Sequence, residues 1–261
     1  MKLQYPNDFE NKIICGDHLD VLPYIHDGSI DLTVTSPPYD DLRSYKGYNF
    51  QFEKLANELY RVTKDGGVIV WVVGDATIKG SETGTSFRQA LYFKEIGFNL
   101  HDTMIYMKNI GRPIGSKYCY NQVFEYMFIM TKGKIKTFDA LKDHITNNFS
   151  NKVSYSEAGR QSGAKRYFKQ KQKTKRWNVW LYNVGYGSSS KDKLAYNHPA
   201  IFPEKLAEDH IISWSNKGEI VLDPMSGSAT TLKMAKKNNR KFIGIDISEE
   251  YCKIARARLL L

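Results

Sequence analysis

The chain has 261 residues and a formal charge of +10, enough length for one large α/β domain with a small inserted module but not for two equal domains. Its start, MKLQYPNDFENK, holds no apolar run of signal-peptide type, and no stretch approaches the ~20 apolar residues of a membrane span, so a cytoplasmic protein with no membrane partner is expected. Three separated cysteines (Cys15, Cys119, Cys252) with no CxxC pair, and no His cluster at ligand spacing, argue against a disulfide framework or a metal site.

In chain order, Lys12 to Cys15 predicts a short strand ending at Gly16-Asp17, followed by helical spacing at Leu19, Leu22 and Ile25. Ile30 to Thr35 alternates as a strand and is stopped by Pro37 and Pro38. Phe52 to Val62 has a helical repeat, with Lys64-Asp65-Gly66-Gly67 read as its C-terminal stop. Val68 to Val73 is a continuous apolar run of the kind buried on both faces of a parallel sheet. A helix at Ser86 to Ile96 and strands at His101 to Lys108 and Glu125 to Thr131 follow.

Periodicity then fails from about 132 to 190. It returns as a helix at Pro203 to Ser213, a strand at Glu219 to Leu222, a turn and a helix to about Asn238, a strand at Lys241 to Ile245, and a helix at Glu249 to Leu260. Strands alternating with helices predict an α/β fold with a doubly wound, mainly parallel, Rossmann-like sheet. The division expected is 1–131, a basic insert at 132–190, and 191–261. Lys132 to Arg176 carries thirteen basic residues against three acidic ones, which is the entire charge excess. The basic surface therefore belongs to a local module that suits a polyanion.

Val221 to Thr231 (VLDPMSGSATT) reads as a strand tip, a small-residue turn and a helix start. Gly227, Ser228 and Ala229 lack bulk, so a ligand can approach the backbone, and Asp223 can receive a cationic amino group. The turn has no P-loop lysine, lacks the dinucleotide spacing, and its acid repels phosphate. Asp246, at the next strand tip, suits ribose hydroxyls. A ligand with ribose, ammonium and no phosphate fits S-adenosylmethionine. The chain ends one helix after Asp246, so the strand missing from this half is supplied by the N-terminal one, whose Asp17 can accept from an adenine amino group. The order is then a circular permutation, with the target-base half first and the cofactor half last.

Ser36-Pro37-Pro38-Tyr39 follows a strand at the edge where open sheets bind ligands. Two prolines remove two donors and leave a stiff turn offering a hydroxyl and carbonyl oxygens. An exocyclic amine needs such acceptors, because its lone pair is delocalised into the base. Hydrogen bonds from its N–H return density to nitrogen as it attacks a sulfonium methyl, with Tyr39 stacked on a base rotated out of the duplex.

Together, TSPPY (Thr35 to Tyr39) before the basic segment and DPMSGS (Asp223 to Ser228) after it resemble the circularly permuted, β-group DNA amino-methyltransferases, which modify cytosine N4 or adenine N6. The resemblance covers roughly 12–131 and 196–258. It implies an S-adenosylmethionine-dependent, Rossmann-like methyltransferase fold, action on double-stranded DNA, and a restriction-modification setting with a cognate restriction endonuclease as partner. It also implies catalytic roles for Ser36, Pro37, Pro38 and Tyr39. Cofactor contacts come from Asp17, Asp223, Pro224, Ser226, Gly227, Ser228 and Asp246, with His198, Phe202 and Glu204 flanking the methionine moiety. Met225, Ser228-Ala229 and Asp246 depart from the commoner aromatic, second glycine and glutamate.

Serine at the head of the tetrapeptide is typical of the family's cytosine-N4 enzymes and aspartate of its adenine-N6 enzymes. A hydroxyl accepts from either amine, so cytosine is the reading and adenine the alternative. An RNA or protein amide methyltransferase and a non-catalytic nucleic-acid binder are the other readings. Cytosine-C5 chemistry needs an activated cysteine, and none of the three cysteines follows a proline as that family's does. The expected DNA contacts are Lys165, Arg166, Lys169, Lys171, Lys173, Lys175 and Arg176 in the insert, with Arg43 and Tyr45 in the loop after the tetrapeptide. Trp177 and Trp180 are read as packing anchors of the insert.

Overall fold

In the computed structural model, which describes residues 3–38, 50–112, 118, 120–145, 173–198 and 201–260, the chain begins with β1 (Lys12–Cys15), α1 (His18–Val21), β2 (Ile30–Thr35), α2 (Phe52–Val62) and β3 (Thr63–Val73). The short hairpin β4 (Thr77–Ile78) and β5 (Ser81–Glu82) leads to α3 (Thr85–Glu95), β6 (Asn99–Arg112) and β7 (Gln122–Thr131). After β8 (His144–Ile145), β9 (Lys173–Thr174) and β10 (Val179–Tyr182) come α4 (Glu204–Trp214), β11 (Ile220–Asp223), α5 (Thr230–Lys237), β12 (Lys241–Asp246) and α6 (Glu249–Leu260).

Eight of these strands form one sheet in the order β1-β12-β11-β2-β3-β7-β6-β10. From β1 to β3 every pairing is parallel; β7 is antiparallel to both β3 and β6, and β10 runs parallel to β6. The run Val68 to Val73 is buried throughout because β3 lies between β2 and β7 and both its faces are covered. Alternation then sorts its side chains: Ile69, Trp71 and Val73 join the core beneath α2 and α3, while Val68, Val70 and Val72 point to the other face. Trp71 is fully buried, and its indole N–H is satisfied by Gln89 at 2.8 Å.

The N-terminal strand pairs with the last one, Cys15 opposite Asp246 and the Gly16 amide donating to the Asp246 carbonyl at 2.9 Å. This is the permuted closure expected from the sequence. Four local expectations need correction. The helix α2 ends at Val62 as expected, but Lys64 to Gly67 already belong to a strand: β3 starts at Thr63, and the glycines lie in a bulge, Ile30 pairing with Thr63 but Leu32 with Val68. Gly66 has φ +82°, and a Cβ there would lie 2.5 Å from Lys136 Cγ. The strands β6 and β7 are longer than their apolar runs, since their mutual ladder continues to Arg112 opposite Gln122.

The insert is narrower than 132–190. The compact units are Met1–Asp139 with Asn178–Leu261, and Ala140–Trp177. Lys132 is tied to the carbonyls of Tyr60 (2.8 Å) and Thr63 (3.0 Å), and Asp139 N donates to Ser213 O at 2.9 Å. Val179 to Tyr182 pairs with β6, so Trp180 anchors the sheet and not the insert; its ring stacks on buried His210 at 4.6 Å. In the smaller unit β8 pairs with β9, Arg176 grips Asp143 through Nε at 3.0 Å, and Trp177 lies against His144 at 4.1 Å.

Candidate active site

From β11 the chain moves outward to β12, and from β2 it moves the opposite way to β3. The strand order therefore reverses between β11 and β2, the position where open α/β sheets bind ligands at their carboxyl ends. The two tips are joined directly: Thr35 Oγ1, on the last residue of β2, donates to Asp223 Oδ1, on the last residue of β11, at 2.8 Å in a buried setting. Ser36 and Pro38 are half-buried and Pro37 is buried immediately beyond this link. Tyr39, Arg43 and Tyr45 lie outside the described residues, as do Lys165, Arg166, Lys169 and Lys171.

Asp223 is 2% exposed. Burial pushes its carboxyl up to about 6, against hydrogen bonds from Thr35 and the Met225 amide, with nearby Asp246 adding to the rise. Asp246 is also raised by burial, although Gly227 N (2.7 Å) and Ser248 N (2.9 Å) donate to its two oxygens. A cationic group beside Asp223 would offset the burial that raises its carboxyl. Asp17, after β1, caps α1 by accepting from Leu19 N at 2.8 Å.

The turn between Asp223 and α5 is pinned by Ser226 N to Ile245 O at 2.9 Å, and two of its residues are left-handed, Gly227 at φ +48° and Ala229 at φ +63°. Pro224 is buried here. The missing Cβ of Gly227 makes room for protein: it would lie 2.9 Å from His198 Nε2, whose ring also meets Tyr251 edge-on at 4.3 Å. Ser228 and Glu204 belong to a buried ion cluster in which Arg258, 0% exposed, donates to Ser228 Oγ (3.1 Å), Glu204 (2.8 Å) and Asp192 (2.9 Å). Phe202 is half-buried just before α4.

Sequence reasoning missed three structural supports of this edge. Thr35 holds Asp223. Arg258 holds the turn, and nothing in its helical context distinguishes it from a surface arginine. Asp75, two residues beyond β3, is buried and accepts from Ser86 N at 2.9 Å; its signal was the Gly74-Asp75 pair after an apolar strand, the same pattern as Gly16-Asp17.

Ser226 Oγ tests whether the residues fit a ligand. It is buried and has no hydrogen-bond partner among the described residues, a deficit worth about 1–3 kcal/mol that a polar ligand at these tips removes. Two acids at neighbouring strand tips and an unsatisfied hydroxyl beside them fit S-adenosylmethionine, and the mainly parallel sheet with its strand-order reversal is the fold of a methyltransferase that uses it.

Residues 30–257 match the N6/N4 DNA methylase family, and the chain belongs to that family. It is 61% identical over 241 residues to the orphan methyltransferase M.BamHII of Bacillus amyloliquefaciens, covering 90% of each chain. It is 30% identical over 272 aligned positions to the DNA adenine methyltransferase YhdJ of Escherichia coli K12, covering 97% of this chain and 85% of that one. Its fold is similar to that of the cytosine-N4-specific PvuII DNA methyltransferase, with TM-score 0.72, 22% identity, and 95% and 86% of the two chains covered. The protein is therefore a DNA methyltransferase whose methyl donor is S-adenosylmethionine.

Proposed function

We propose that the methyl acceptor is the N4 amine of a cytosine rotated out of duplex DNA. The observation that carries this reading is the Thr35–Asp223 hydrogen bond, because it fixes the turn starting at Ser36 against the strand tip that receives the cofactor's cationic group. S-adenosylmethionine supplies an electrophilic methyl on sulfur. Ser36 and the carbonyl oxygens of the turn accept hydrogen bonds from the cytosine amine, which raises electron density on N4 and aims its lone pair. Pro37 and Pro38 hold those oxygens rigid and add no competing donor. Asp223 holds the ammonium group, Asp246 the ribose and Asp17 the adenine amine, with His198 and Phe202 beside the methionine chain. Tyr39 stacks on the extruded base.

Serine at 36, where aspartate heads the motif of the adenine enzymes, supports cytosine. Adenine N6 is the second reading, favoured by the name of the Escherichia coli relative. Lys173 and Lys175 of the smaller unit serve phosphate contact. Arg176 is already neutralised by Asp143 and serves to fold that unit. The name of the Bacillus relative calls it an orphan, which lends no support to a partner endonuclease.

The test is incubation with labelled S-adenosylmethionine and mixed-sequence duplex DNA, then nucleoside digestion and mass spectrometry. N4-methylcytosine is expected, and Ser36→Ala should bind DNA yet lose most transfer. N6-methyladenine would overturn the base assignment, and label in neither nucleoside would overturn the reading.

A further inference from the structure

We propose that the paired strands β6 and β7 form an aromatic ribbon that contacts the DNA duplex beside the target base, independently of the basic segment 140–177. The inference builds on DNA as the substrate. Register gives its reach. Thr35 at the tip of β2 pairs with Trp71, and Trp71 pairs with Phe128. From Phe128 back to Gln122 the ribbon continues for six residues, roughly 20 Å at ~3.3 Å per residue. The last four of these lie beyond Val73 opposite Tyr126, where β3 ends; among the described residues they pair with β6, which β10 flanks as far as Lys108. The ribbon thus rises past the same sheet edge that carries Ser36 and Asp223.

Its side chains are unusual for a surface. Ile110 of β6 is 61% and Phe124 of β7 36% exposed, and in the segment that joins the two strands Tyr118 is 95% and Tyr120 98% exposed. The base of the ribbon is rigid: Phe124 meets Tyr126 at 5.4 Å, Tyr126 stacks on buried Phe128 at 5.3 Å, and Phe87 of α3 braces Tyr126 at 5.2 Å. Lys108 of β6 is ion-paired with Glu125 of β7, and from 109 to 121 the sequence carries Arg112 and Lys117 and no acidic residue. Grouped exposed apolar rings mark an interaction surface. Exposed rings beside a cationic stretch match bases and phosphates, since aromatic side chains stack on unstacked bases and cations meet the backbone. Extrusion of a base exposes such faces on its neighbours.

The test compares the full chain with the Tyr118→Ala/Tyr120→Ala and Tyr118→Phe/Tyr120→Phe double variants. Duplex binding is read by fluorescence anisotropy on a labelled mixed-sequence duplex, cofactor affinity by calorimetry, and assembly state by sedimentation. The alanine pair should lose about tenfold in duplex affinity for each ring removed, the size of one base–aromatic stack. The phenylalanine pair should retain it, and S-adenosylmethionine affinity and thermal midpoint should not move. Unchanged duplex affinity in the alanine pair would overturn the proposal, as would a loss of self-association with DNA affinity intact. Because binding is measured without turnover, failure of the cytosine reading leaves this result readable.

Discussion

Replacing Arg258 with methionine keeps most of the buried stem but removes a guanidinium that donates to Asp192 (2.9 Å), Glu204 (2.8 Å), Ser228 Oγ (3.1 Å) and Thr230 Oγ1 (3.4 Å). Two carboxylates are then left with Lys233, 3.1 Å from Asp192 and 3.5 Å from Glu204. Their side chains are 8% and 22% exposed, so water replaces the lost charge poorly. Removing one partner of a buried ion pair costs about 3–5 kcal/mol, which corresponds to a fall in Tm of roughly 10 °C for a chain of this size. Arg258→Lys should recover part of that.

The sign of the pH dependence follows from Asp192. Burial raises its carboxyl, but Arg258, Lys233 and the Leu194 amide together outweigh burial and hold it below the usual 3.8. A depressed carboxyl adds stability above its unfolded value and loses it as pH falls through the folded one. The parent should therefore lose more stability than Arg258→Met on acidification below pH ~4, and the gap between them should shrink there. Urea unfolding at neutral and acid pH measures both. A variant within about 1 kcal/mol of the parent at pH 7, or a gap that does not change with pH, would refute a charge role for Arg258.

The raised carboxyl of Asp223 has the opposite sign: its ionised form is disfavoured by burial, so its stability contribution is greatest below 3.8 and declines as pH rises through about 6. Asp223→Asn should leave the cofactor-free protein no less stable at pH 8 in thermal melts, yet abolish the rise in Tm on adding S-adenosylmethionine. In the parent, cofactor affinity by calorimetry should weaken as pH drops below about 6; a flat profile from pH 5 to 8 would separate Asp223 from the ammonium group. Gly227→Ala forces a Cβ to 2.9 Å from His198 at φ +48° and should cost about 1–3 kcal/mol together with cofactor affinity. Gly244→Ala brings a Cβ to 2.2 Å from Leu232 Cδ1, with a similar loss expected; adding Leu232→Ala should restore part of it in denaturant midpoints.

Short-range pattern determined much of this protein. The apolar run of β3, the repeat of α2, and the acids at the tips of β1, β11 and β12 are written in a few consecutive residues each, because local periodicity encodes which face is buried and strand tips announce themselves by a stop. The permuted closure was legible too, in the apolar run Lys12 to Cys15 that ends at Gly16-Asp17, and β1 pairs with β12. Tertiary structure decided what periodicity does not encode, namely which partner lies across a buried face. Val179 to Tyr182 is four apolar and aromatic residues after a basic tract, and pairing with β6 makes it a strand. Asp192 and Arg258 are 66 residues apart and Thr35 and Asp223 are 188 apart; Asp223 stands out in its motif, but its partner Thr35 and the Asp192–Arg258 pair do not, and tertiary burial makes the hydrogen bond and ion pair that hold the site.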